Sequence, residues 1–324
     1  MNYSDYTQQH AILLENRVRK NYRHLRKRMK RANVSAYRLY DWDIPEVRVK
    51  VDIYGQHLVV SVYDREQTRQ EVGYLEAMGE AAARAVDLPL ENAHLRQRRT
   101  RPANGDRYNR LADQQIQEIV HEGDLKFKVN LSDYLDTGLF FDHRKTREIF
   151  AEAAQARRVL NLFSYTGAFS VAAAHGGATK VTSVDLSKNY LDWSKENFKL
   201  NQLALAPHEF VAQSAFDYLE KAAQKGRQWD LLFIDPPSFS SVGLLGNENG
   251  PSQDFDINRD HLRLLKLATE VVAPAGLAYF STNHQRFEPG FLQSNEAWQE
   301  LTHQSVPEDC RNRQAHRLFL WENQ

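Results

Sequence analysis

The chain has 324 residues, 42% hydrophobic and 26% charged, a composition that excludes a disordered or fibrous protein and a length that allows two or three domains. Its 42 basic and 42 acidic residues cancel, so no overall field draws it to a polyanion, and the single cysteine, Cys310, rules out an internal disulfide or a thiolate zinc cluster. No apolar run approaches the roughly 18 residues of a membrane helix, and MNYSDYTQQH lacks the order of a signal peptide, so a soluble, unprocessed, cytoplasmic protein with neither membrane nor metal partners is expected.

Nine basic residues (Arg17, Arg19, Lys20, Arg23, Arg26, Lys27, Arg28, Lys30 and Arg31) and no acid lie between Asn16 and Arg31. Leu14, Val18, Tyr22, Leu25 and Met29 recur there at steps of three or four. Residues 1–32 therefore predict an amphipathic helix whose cationic flanks either bind a polyanion or form a solvated face. VRVKVDIY and HLVVSVY, separated by Gly55-Gln56, read as a tight hairpin. A helix is expected from about Glu71 to Val86, ending before Pro89. HLRQRRTR and the pair IQEIVHEG and LKFKVNL, turning at Glu122-Gly123-Asp124, read as further strands, and the cluster Arg96, Arg98, Arg99 and Arg101 is expected either to grip phosphates, as the basic helix would, or to form a solvated face. Residues 33–135 thus form a small α+β domain in this reading.

After Gly138 the pattern becomes alternating β and α, the mark of a doubly wound parallel sheet. RVLNLF, KVTSVDL, HEFVAQS, DLLFIDP and GLAYFS are the expected strands, and AFSVAAAHGG is a helix closed by Gly176-Gly177. LTHQSV and HRLFLWE read as two late strands joined by the loop from Pro307 to Arg313. An antiparallel pair added to five parallel strands gives a seven-stranded mixed sheet, expected over residues 136–324, which distinguishes the methyltransferase variant of the α/β, Rossmann-like fold from a plain dinucleotide fold.

Three features of this region carry chemistry. The first strand runs into Asn161, Leu162, Phe163, Ser164, Tyr165, Thr166 and Gly167, a turn at the carboxyl end of the leading strand, where open α/β sheets bind ligands. A full GxGxxG is absent, so a pyrophosphate has little room to approach the backbone. Asp185 ends the second strand, 18 positions after Gly167, where an acid accepts from both hydroxyls of a ribose; the competing role is a helix N-cap, for which Ser187 also competes. The fourth strand ends in Asp235-Pro236-Pro237-Ser238-Phe239. Its prolines hold the backbone extended and donate no hydrogen bonds, so they aim the Asp235 carboxylate and nearby carbonyls at a ligand, which makes Asp235 a candidate for cofactor binding as well as catalysis, while Phe239 offers a face to a planar base.

YRLYDWDIPEVRVKVD, SDYLDTGLFFDHRKTR, NLFSYTG, IDPPSFS and RNRQAH resemble the C-terminal, guanine-N7 half of the bifunctional 23S rRNA methyltransferases K/L, over almost the whole chain. The shorter DPP and NLFSYTG motifs are shared with the wider family of rRNA 5-methylcytosine enzymes. The resemblance implies a class I enzyme using S-adenosylmethionine behind an RNA-binding α+β domain, with 23S rRNA, naked or in a large-subunit assembly intermediate, as partner. The guanine-N2 half has no counterpart here, so the chain reads as a stand-alone enzyme or an excised half. The resemblance further implies that Asp142, His143 and Arg144 close over the cofactor, that Asn161 to Gly167 pass beneath its methionine portion, and that Asp185 and Leu186 hold the ribose. Ser214 stands where relatives carry an acid facing the adenine amino group; a hydroxyl accepts more weakly, which gives Ala215 and Phe216 more of the adenine contact.

Guanine N7 has an in-plane lone pair and no proton, so its methylation needs placement and no general base. Asp235, Pro236, Pro237 and Phe239 are the expected placing residues. Cytosine C5 reacts only after a thiol adds to the ring. In the related 5-methylcytosine enzymes that cysteine follows the fifth strand, where this chain reads Phe280-Ser281-Thr282-Asn283-His284. Cytosine C5 methylation is the alternative reading, and a non-catalytic RNA-binding protein the second.

Overall fold

The computed structural model describes residues 3–63, 65–98, 114–134, 136–240, 255–293 and 297–324, so the expected cluster members Arg99 and Arg101 lie outside the described residues. The chain divides into two compact units, Met1–Thr137 with Glu308–Asn312, and Gly138–Pro307 with Arg313–Gln324.

In the first unit, α1 (Asp5–Arg31) is followed by β1 (Ala36–Asp41), β2 (Val49–Tyr54), β3 (His57–Tyr63), the short α2 (Glu66–Arg69), α3 (Tyr74–Val86), β4 (Ala93–Arg98), β5 (Gln117–Glu122) and β6 (Leu125–Asn130). The Ser4 hydroxyl accepts from the Thr7 amide and starts α1. Leu14, Val18, Leu25 and Met29 are buried at helical spacing, each contributing about 1.5–3 kcal/mol, and share one core with α3 and the inner faces of β1 to β3. The sheet order is β1-β2-β3-β4, antiparallel up to β3 and parallel between β3 and β4. Gly55, at φ +61°, closes the β2–β3 turn.

The second unit continues with α4 (Arg144–Ala153), β7 (Arg158–Leu162), α5 (Ala168–His175), β8 (Lys180–Asp185), α6 (Lys188–Leu200), β9 (Glu209–Ala212), α7 (Ala215–Gln224), β10 (Trp229–Ile234), β11 (Phe239–Ser240), β12 (Phe255–Asp256), α8 (Ile257–Thr269), β13 (Val272–Thr282), β14 (Trp298–Glu300), α9 (Thr302–Ser305) and β15 (Arg317–Glu322). Its seven-stranded sheet has the order β14-β15-β13-β10-β7-β8-β9, with β15 antiparallel to both neighbours and the rest parallel. One expectation fails here. LTHQSV is not the penultimate strand: β14 lies just before it, and Thr302–Ser305 form the short helix α9. The Thr302 hydroxyl accepts from the Leu318 amide and the Ser305 hydroxyl donates to the Thr302 carbonyl, so these polar side chains compete with strand pairing.

The chain winds from β7 outward to β9, then returns to β10 on the other side of β7. This makes the carboxyl ends of β7 and β10 the topological switch point, where a ligand crevice opens in such sheets.

Candidate functional site

At the end of β7, Phe163 (φ 55°), Tyr165 (φ 49°) and Gly167 (φ 76°) adopt left-handed backbone, which folds the turn tightly enough to enter α5. The turn is tied from all sides. The Ser164 amide donates to the Val184 carbonyl at 3.0 Å, the Thr166 hydroxyl to the Gly138 carbonyl at 2.6 Å, and the Asn197 side chain to the Thr166 carbonyl at 2.9 Å. Asn161 reaches sideways to Ser170 at 2.8 Å, which orders the turn from below. A Cβ on Gly167 would overlap the Ser194 hydroxyl of α6, so glycine is required here by both torsion and space.

Asp185 faces this turn. One carboxylate oxygen accepts from the Tyr165 amide and the other from the Ser187 amide, both at 2.8 Å, while Ser187 itself caps α6. Each oxygen keeps a lone pair for a further donor. Burial raises the Asp185 pKa, and the two amides pull it back. Leu186 beside it is exposed. Across the crevice, Ser214, Ala215 and Phe216 are buried at the start of α7, and the Gln213 amide donates to the Asp185 carbonyl at 3.0 Å. The side-chain amide nitrogen of Gln213 and the hydroxyl of Ser164 are buried and make no hydrogen bond. Unsatisfied buried polar groups around a concave turn fit a polar ligand such as a nucleoside.

Asp235 stands one residue beyond the Ile234 pairs with Leu162 of β7 and Phe280 of β13, directly at the switch point. Burial pushes its carboxyl up to about 6, helped by Asp142 and opposed by His316, Ser281 and Arg147. The Ser281 hydroxyl is itself buried without a well-formed hydrogen bond. Asp235 lies 3.8 Å from His143 Nε2, but burial, then His316, holds His143 well below the ordinary histidine range, so the contact joins a carboxyl to a neutral imidazole. Pro236 is buried and Pro237 half-buried, while the Phe239 ring is 41% exposed and free to cover a base. Thus Asp142, His143 and Asp235 form one cluster. Arg144 is buried at the first turn of α4. Phe140 and Tyr165 meet with ring centroids 5.5 Å apart, joining the segment before α4 to the turn after β7.

Two members of the cluster escaped sequence reasoning. His316 is fully buried, stacks on His143 with centroids 4.0 Å apart, and puts Nδ1 3.5 Å from Asp142. Arg147 is buried and donates to the Phe140 carbonyl at 3.0 Å. The only sign of His316 was its place in RNRQAH. Asp142, His143 and His316 bring ligand-type atoms within 4.8 Å of one another. Stacked rings keep their in-plane lone pairs on separate levels, so they cannot converge on one ion, and we assign the cluster no metal.

Arg96 and Arg98, expected to grip phosphates, are engaged within the first unit: Arg96 donates to the Leu131 carbonyl at 3.2 Å and Arg98 pairs with Asp136 at 3.3 Å. Cys310 is 1% exposed and belongs to the first unit, next to Asp309, whose carboxylate accepts from the Arg38 amide.

The profile of a family described as S-adenosylmethionine-dependent methyltransferase matches residues 43–311. The chain is 41% identical to ribosomal RNA large subunit methyltransferase K of Neisseria meningitidis, covering 95% of this chain and 85% of that one. It is 40% identical to ribosomal RNA large subunit methyltransferase K/L of Pseudoalteromonas atlantica over 94% of its own length but 43% of the relative's, so it spans less than half of that longer protein. Among solved structures, SMU.776, a putative methyltransferase complexed with SAH, superposes with a TM-score of 0.73 at 26% identity, covering 95% of this chain and 81% of that one.

Proposed function

Because the chain belongs to the S-adenosylmethionine-dependent methyltransferases and, within them, to the large-subunit rRNA methyltransferases K and K/L, we propose that it methylates N7 of a guanine in 23S rRNA in the cytoplasm. The observation that carries the choice of base is the composition of the site: a carboxylate, Asp235, at the switch point, and a lone thiol, Cys310, buried in the other unit.

The residues at the turn fit the cofactor. Asp185 would offer two lone pairs to ribose hydroxyls, the Asn161–Gly167 turn would hold the methionine portion, and Ser214, Ala215 and Phe216 would hold the adenine with the unpaired side-chain amide of Gln213 beside them. When bound, S-adenosylmethionine supplies an electrophilic methyl group on a sulfonium. The chain's own work is placement. The ionised Asp235 carboxylate accepts hydrogen bonds from the donor edge of the base, the prolines after it keep that carboxylate aimed, and Phe239 packs on the ring. No residue has to take a proton, since N7 carries none. N7 faces the deep, narrow major groove of A-form RNA, so the target guanine must be unpaired or extruded, which favours naked rRNA or an early assembly intermediate as substrate.

Cytosine C5 methylation is the competing reading, and Cys310 separates the two. Cys310→Ser is expected to keep full activity on 23S rRNA, and the wild type to form no covalent adduct with 5-fluorocytosine RNA. A folded but inactive serine variant together with a trapped adduct would transfer the assignment to cytosine.

A further inference from the structure

The first unit holds a cleft of about 490 Å³, lined by none of the residues proposed for methyl transfer and bounded by the C-terminal half of α1, the turn at Asn33 to Ser35 and the β2–β3 turn at Gly55. Its size lies within the roughly 300–1,000 Å³ range of small-ligand sites. Tyr22, Arg26, Lys27 and Lys30 of α1 line one side, and Tyr37 and Ile53 the other. Six cations of α1 pair with no carboxylate among the described residues, and three of them, Arg26, Lys27 and Lys30, line the cleft, whereas Lys20, Arg23 and Arg31 do not. Arg17, Arg19 and Arg28 are paired with Asp43, Glu15 and Glu308, whereas among the described residues no carboxylate pairs with Arg26, Lys27 or Lys30. A cation near a helix C-terminus is favourable by itself, which accounts for Lys30. It does not account for three unpaired cations around a cleft with aromatic walls. Tyr22 is half-buried and Tyr37 buried, and the Arg26 guanidinium lies 5.7 Å from the Tyr22 ring centroid, so a flat cation already occupies the side of a π-face.

We propose that this cleft receives one unstacked nucleotide of a single-stranded RNA segment, its base against Tyr22 and Arg26 and its flanking phosphates on Lys27 and Lys30. Duplex RNA fits poorly, because its bases are stacked inside the helix and cannot enter a cleft walled by tyrosine. The assignment rests on the rRNA reading above and adds to it a specific contact: the basic helix takes a base as well as phosphates, and uses the unpaired cations that line the cleft.

Fluorescence anisotropy with the full chain, a labelled single-stranded RNA oligonucleotide and its duplex, across a salt series, tests this. The variant Arg26→Gln/Lys27→Gln/Lys30→Gln should bind the single strand at least about tenfold more weakly, with a salt slope shallower by about 1.4 units, at roughly 0.7 for each of the two lost phosphate contacts. Tyr22→Leu, which keeps an apolar side chain over the core, should weaken the single strand about 5- to 20-fold with an unchanged slope, the signature of lost stacking. Lys20→Gln/Arg23→Gln/Arg31→Gln removes the same charge away from the cleft and should retain most of the affinity. Equal loss in both triple variants with no effect of Tyr22→Leu, or a duplex bound as tightly as the single strand, overturns the proposal. Methylation of 23S rRNA by the wild type, assayed separately, shows whether the rRNA reading stands when the cleft does not.

Discussion

Asp235→Ala is expected to lower kcat on 23S rRNA by a hundredfold or more at saturating cofactor, while leaving S-adenosylmethionine affinity within about threefold. The reason is geometric: a misplacement of about 1 Å costs about that much, and Asp235, at the switch point, is the acceptor proposed to fix the base. The carboxylate must be ionised to accept, and burial has pushed it up to about 6, so wild-type kcat should rise through an inflection near pH 6 and level off above pH 7. Asp235→Asn should remove that inflection along with most of the activity. Stability moves the other way. The folded-state pKa is raised above the unfolded value of about 4, so the contribution is fully present below about pH 4 and lost as pH rises through 6. At pH 8 the asparagine variant should therefore melt no lower than the wild type, with a gain of up to roughly 1–2 kcal/mol because the side chain is 28% exposed and partly screened. A variant that loses activity and melting temperature together would point to a structural role for Asp235.

Asp185→Ala should weaken S-adenosylmethionine binding about 10- to 150-fold, the equivalent of roughly 1.5–3 kcal/mol for two charge-assisted hydrogen bonds. The structure sharpens this expectation. The carboxylate also accepts from the Tyr165 and Ser187 amides, so its removal loosens the turn under the methionine portion as well as the ribose contact. Asp185→Asn keeps one acceptor oxygen and should fall between the wild type and alanine. Calorimetry on folded protein decides it, and unchanged affinity in both variants would remove Asp185 from the cofactor site.

Much of this architecture was legible because its signals are local. Val159 and Leu160 in β7, Val181 and Val184 in β8, and Leu231 to Ile234 in β10 are apolar runs buried in a parallel sheet, and each is followed by a turn with its own chemistry. Leu14, Val18, Leu25 and Met29 announced α1 by period. What stayed hidden depends on distance along the chain. His316 joins Asp142 and His143 across more than 170 residues, and its place in RNRQAH marks the segment without showing which side chains it meets. Arg28 reads as a free cation until Glu308, 280 positions away, is placed against it. The late strand was misplaced because Thr302 and Ser305 direct their hydroxyls to backbone and His316, while Trp298 to Glu300 carry the pairing with β15. Arg96 and Arg98 look exposed in a basic string, and their partners, the Leu131 carbonyl and Asp136, appear only when the first unit closes.

The central claim concerns one atom of one base, and nucleoside mass spectrometry of 23S rRNA tests it directly. RNA from a strain lacking the gene should lose 7-methylguanosine and regain it when the wild-type chain is restored, but not when Asp235→Ala is supplied. Unchanged 7-methylguanosine with a loss of 5-methylcytidine would contradict the account and give the reaction to cytosine.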